Sequence, residues 1–134
     1  MSDHLIAKHE INLGTFYFYT NYFVSEVKEG ITISLDKLDE LIPLVLKYYE
    51  NGEPFSYISN RINSHSILPH QYGDCPLLNL DNFVSYSTVT YSHLCSKSIE
   101  VEKHFAKRPF YNFSSLSEAI EWTHNELEGL KNKS

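Results

Sequence analysis

Little in this 134-residue chain invites the commoner chemistries, and its scarcities are informative. It has two cysteines, Cys75 and Cys95, with no Cys-x-x-Cys pair and no basic cluster beside either. A disulfide framework is therefore not expected, and neither is an activated thiol; the reading is reduced thiols in a cytoplasmic protein. Its five glycines stand singly, so no Walker-type phosphate loop, dinucleotide fingerprint or Gly-x-Ser-x-Gly elbow can be written. Basic residues are also few. Eleven Lys and Arg face seventeen Asp and Glu, for a net charge of −6, and apart from Lys107-Arg108 they are scattered. That argues against nucleic acid, whose phosphate backbone is held by a clustered cationic face. No long apolar run occurs either. The stretch Phe16 to Val24 is interrupted by Tyr17, Tyr19, Thr20, Asn21 and Tyr22 and falls well short of the ~20 residues that span a membrane, so no membrane insertion is expected. Asp3, His4, Lys8, His9 and Glu10 interrupt what a signal peptide would keep apolar.

The chain is rich in apolar residues, at 42%, and in tyrosine and phenylalanine, at ten and eight. A chain of this size buries roughly two-thirds of its unfolded surface, enough for a core without a metal or disulfide. With no repeat, linker or low-complexity tract, residues 1–134 read as a single domain. From Lys8 to Glu29, β-branched and aromatic residues predict two or three short antiparallel strands, interrupted at Gly14-Thr15 and Thr20-Asn21. Ser34 is placed to cap a helix carrying Leu35, Leu38, Ile42, Val45 and Tyr49 on one face, with Asn51-Gly52 as its exit. Pro43 conflicts with that helix and predicts a kink near Asp39 to Pro43, or a later start. Phe55 to Ser59, Phe83 to Ser87 and Phe110 to Phe113 read as short strands. A helical stripe of Leu94, Ser98, Val101 and Phe105 ends at Arg108-Pro109. Ser115-x-x-Glu118 is a capping box for a last helix with Leu116, Ala119 or Ile120, Thr123, Leu127 and Leu130 on one face. The order β-β-α-β-α-β-α-β-α implies an α/β protein with a largely parallel sheet and the first strands antiparallel at one edge.

That order, with the phrases Phe55-Ser-Tyr-Ile-Ser-Asn-Arg61, Asn82-Phe-Val-Ser-Tyr-Ser87 and Pro109-Phe-Tyr-Asn-Phe113 running into Ser115-Leu-Ser-Glu-Ala-Ile-Glu-Trp122, resembles the small stand-alone STAS/SEC14-like proteins of bacteria over nearly the whole chain. The resemblance implies the fold of the anti-sigma factor antagonists: a mixed sheet of about five strands with helices mainly on one side. It also implies a non-enzymatic regulatory or protein-interaction module, with a small-molecule or lipid carrier as the alternative. In the antagonists a serine in an Asp-Ser-x-Gly motif after a central strand is phosphorylated, and its charge blocks docking. Here the matching stretch reads Asn60-Arg-Ile-Asn-Ser-His-Ser66, without the motif. Ser64 and Ser66 are positional counterparts of the switch, or hydroxyls that help the chain turn.

The segment Asn60 to Leu80 follows a central strand, and ligands of open α/β sheets bind outside the carboxyl ends of strands. Asn60, Arg61, Asn63, Ser64, His65 and Ser66 form the candidate binding set, with Arg61 either a fork donor to an anion or polar ligand, or a tie between the loop and a carboxylate. His65, His70, Asp74 and Cys75, or His93, Cys95, Glu100 and His104, can be written as metal sets, but neither has metal-site spacing; no metal or cofactor is expected. Catalysis would need an undetected constellation around Arg61, His65 and Asp74. Tyr17, Tyr19 and Tyr22, read on an edge strand, are either a protein-partner or homodimer surface, or a half-wet aromatic face.

Overall fold

The computed structural model describes residues 5–49, 52–62, 66–67, 80–91 and 109–132. Dense β-branched and aromatic sequence folds the N-terminus into three strands, β1 (Leu5–Ile11), β2 (Gly14–Tyr19) and β3 (Tyr22–Val27), which pair antiparallel in succession. Gly14 makes the first reversal possible. Its φ is +148°, and a Cβ there would lie 2.3 Å from the Glu26 carbonyl oxygen, so only glycine lets the two backbones approach. A two-residue strand β4 (Thr32–Ile33) and a 3₁₀ turn, Leu35–Leu38, lead into helix α1 (Leu41–Tyr49). The chain continues through β5 (Phe55–Arg61), β6 (Ser66–Ile67), β7 (Phe83–Thr90) and β8 (Phe110–Phe113) to helix α2 (Leu116–Asn132).

Six strands form one mixed sheet in the order β1-β2-β3-β5-β7-β8, while β4 and β6 pair separately in parallel. The neighbours β3/β5, β5/β7 and β7/β8 are all parallel, so half of the sheet is a meander and half is built from crossovers. This is the α/β class with the antiparallel strands at one edge, as the sequence predicts. There are six strands in the sheet where about five were expected.

Alternation along the strands divides the core in two. On one face Phe16, Phe18, Phe23, Phe55, Phe83 and Tyr86 pack with Leu41, Val45 and Tyr49 of α1. On the other, Tyr22, Val24, Ile58 and Val89 pack with Ala119 of α2. One described helix thus covers each face, where helices mainly on one side were expected; the stripe Leu94 to Phe105 lies outside the described residues. The Tyr49 hydroxyl reaches the carbonyls of Tyr19 at 2.8 Å and Tyr22 at 2.7 Å, tying the end of α1 to the turn between β2 and β3.

Three local expectations are revised. Ser34 does not cap a helix through its side chain; its hydroxyl donates to the Asp36 carboxylate, and the α-helix starts only at Leu41, which leaves Pro43 in the first turn where no intrahelical donor is lost. Strand β5 runs on to Arg61, so Asn60 and Arg61 belong to the sheet and not to the loop after it. Tyr17, Tyr19 and Tyr22 are not on an edge strand, because β1 covers the outer side of β2; Tyr22 is buried and the other two are half-buried.

Candidate functional site

The parallel pairing brings the carboxyl ends of β3, β5, β7 and β8 to one margin of the sheet, and the polar side chains of these strands collect there. Arg61 and Asn60 are successive residues, so they point to opposite faces. Arg61 is 4% exposed. Its Nε donates to Ser59 Oγ at 3.2 Å and its Nη2 to the Tyr86 hydroxyl at 3.2 Å. Tyr86 stacks on Tyr57 with ring centroids 5.0 Å apart, and the Tyr57 hydroxyl lies 2.5 Å from Ser25 Oγ. Arginine, two tyrosines and two serines from β3, β5 and β7 therefore make one polar layer on the α1 face, buried except at the half-buried Tyr57. Asn112 extends it towards β8 by accepting from Thr88 Oγ1 at 2.8 Å and Thr90 Oγ1 at 3.2 Å.

On the opposite face Asn60 is the hub. Its Nδ2 donates to Glu26 Oε2 at 3.3 Å, its Oδ1 accepts from the Tyr91 hydroxyl at 2.7 Å, and the Tyr17 hydroxyl donates to Glu26 Oε1 at 3.4 Å. Both phenols are held above their ordinary pKa, first by partial burial of the hydroxyl end and then by the Glu26 carboxylate. They stay neutral donors through the physiological range.

Beside this network lies a cleft of about 750 Å³, open to solvent. Its walls are Tyr91 at the end of β7, Tyr111 and Phe113 of β8, and Trp122 of α2; Thr90, Asn112, Ser114 and Glu118 supply polar edges. Phe113 and Tyr111 alternate onto the α2 face, and Glu118 and Trp122 are one helical turn apart, so strand and helix present one composite surface. Ring centroids are 5.7 Å apart for Phe113–Trp122, 6.3 Å for Tyr111–Trp122 and 4.8 Å for Tyr111–Phe113. Tyr91 and Tyr111 are 56% and 57% exposed, unusual for large side chains beside a core.

Of the sequence-derived site residues, Asn60 and Arg61 meet the sheet margin but are buried in it. Asn63, Ser64 and His65 lie outside the described residues, as do both written metal sets, and Ser66 contributes its backbone to β6 opposite Thr32. Among the described residues no group of three His, Cys, Asp or Glu side chains is placed to hold a metal ion, and no helix is long and apolar enough to cross a membrane. The Tyr91, Tyr111 and Trp122 cleft was not anticipated. The i, i+4 spacing of Glu118 and Trp122 directly behind a Tyr-x-Phe strand was its one visible trace. Compared with family models, curated proteins and solved structures, the chain matches none of them.

Proposed function

We propose that the chain is a non-enzymatic binding module of the STAS/SEC14-like type, and that it docks a protein partner at the carboxyl margin of its parallel strands. The observation that carries this reading is the solvent-open aromatic cleft, with Tyr91 and Tyr111 more than half exposed beside Trp122. Tyrosine and tryptophan are the side chains most often found at the energetic centre of protein interfaces, where they bury much area at low entropic cost. Phenol, amide and carboxylate groups around them are already hydrogen-bonded to one another, which suits recognition and fixes the surface in advance of contact.

The carrier reading draws on the same volume, which falls within the roughly 300–1,000 Å³ of small-molecule pockets. Such pockets enclose most of their ligand, whereas this cleft is open, and that favours a partner's surface. Native mass spectrometry of protein purified without added ligand separates the two. A partner subunit bound to the natural chain and lost in Tyr111→Ser supports the module. A small mass that departs on denaturation supports the carrier. A partner other than a second copy of this chain, retained equally by Tyr111→Ser, overturns the assignment to this cleft.

A further inference from the structure

The opposite margin of the sheet raises a separate question. Strand β1 is its first strand, paired through one side to β2, and among the described residues no backbone bond is made on its other side. An open edge of this length is a template for another strand. Leu5 and Ile6 at its start are 49% and 50% exposed, and the register shift between Leu5 and Ala7 leaves Ala7–Ile11 as the regular stretch. On the sheet face shared with Tyr17 this stretch shows Lys8 and Glu10; on the face shared with Phe18 it shows Ala7, His9 and Ile11.

From this pattern we infer that the outer edge of β1 pairs with the same edge of a second copy, antiparallel about a two-fold axis at His9. The register follows from two constraints. Opposed residues of an antiparallel pair must point to the same face, so the axis passes through a residue and not between two. An axis at Lys8 sets lysine against lysine, and an axis at Glu10 sets glutamate against glutamate; both are unfavourable. An axis at Ala7 sets Lys8 against Ile6 and Glu10 against position 4, which lies outside the described strand, so it pairs no charges within β1. An axis at His9 sets Lys8 against the second copy's glutamate and Glu10 against its lysine, so one strand carries both halves of a self-complementary pair. Leu5 and Ile6 then fall beside the second copy's turn at Asn12-Leu13. His9 is held back from the seam by Tyr48, whose hydroxyl lies 2.8 Å from its Nε2. The product is a continuous sheet through two chains, with each aromatic cleft at a far end, so pairing and cleft are independent.

Sedimentation velocity from micromolar to millimolar protein tests the inference. The natural chain is expected to form a dimer that dissociates on dilution. Lys8→Glu and Glu10→Lys each create two like-charge oppositions and should weaken dimerisation by about tenfold or more. Mixed in equal amounts, the two variants should form a heterodimer, since each supplies the charge the other lacks. Both substitutions are at exposed positions, and unchanged thermal melts identify folded variants. The inference is overturned by a natural chain that stays monomeric, by single variants that dimerise as well as it does, or by folded variants that fail to associate when mixed. Tyr111→Ser should leave dimerisation intact, so failure at this edge and failure at the cleft are read separately.

Discussion

Ser87 buries its hydroxyl in the middle of β7, fully excluded from solvent, and finds no hydrogen-bond partner among the described residues. Two residues away, Ser85 meets Ser56 of β5 with their oxygens 2.6 Å apart. A satisfied hydroxyl and an orphaned one differ in the sign of their contribution. Ser87→Ala is expected to raise stability by about 1 kcal/mol, because the desolvation penalty goes with the oxygen. Ser85→Ala should lower it by about 1–2 kcal/mol by stranding Ser56. Urea unfolding of the two variants checks both, and a loss in Ser87→Ala would show that its oxygen has a partner. At this scale the sequence was least legible. Asn60 and Arg61 stood out as polar residues after a strand, yet their neighbours Glu26, Tyr86 and Tyr91 are 25 or more positions away, and only the sheet register brings them together.

Elements were easier to read because their signals are local. Strand β8 occupies Phe110–Phe113, as its sequence predicts, and Pro43 delays α1 to Leu41. The Ser115 box opens α2. The Glu118 amide donates to Ser115 Oγ at 3.3 Å, and the Ser115 hydroxyl donates to Glu118 Oε1 at 3.0 Å. Ser115→Ala should cost about 1 kcal/mol of stability, with the loss of helical signal concentrated in the first turn. If hydrogen exchange of the α2 amides is unchanged in that variant, the cap is not what starts the helix. Strand β1 was harder to recognise from sequence, since Lys8, His9 and Glu10 carry no strand propensity. Without a local signal for β1, the sequence alone places the β2 tyrosines at the edge. The cleft has no sequence signature for a related reason: Tyr91, Tyr111 and Trp122 come from three segments, and no local rule connects them.

For the molecule as a whole, the clamp at Tyr49 sets a limit at high pH. Burial, the largest cause, pushes its phenol far above the ordinary value near 10. Above about pH 10 the unfolded chain releases this proton and the folded chain keeps it. Fewer protons on the unfolded state mean that stability falls as pH rises. The contribution of Tyr49 to Tm should therefore be constant between neutrality and about pH 9 and decline above it, with its hydroxyl unionised in ultraviolet titration until the fold is lost. Tyr49→Phe should shallow that decline while lowering Tm at neutral pH by removing the bonds to the Tyr19 and Tyr22 carbonyls. The arrangement of the sheet also fixes an order in time. Strands β1 to β3 find each other across tight turns, but β5 can join β3 only once the intervening chain and α1 have closed a long crossover. During synthesis the meander can form as soon as it emerges, with Phe16, Phe18 and Phe23 on a face that α1 has not yet reached. The newborn chain thus passes through an interval in which its stickiest surface is already assembled and still uncovered, and how quickly α1 arrives governs whether it folds or aggregates.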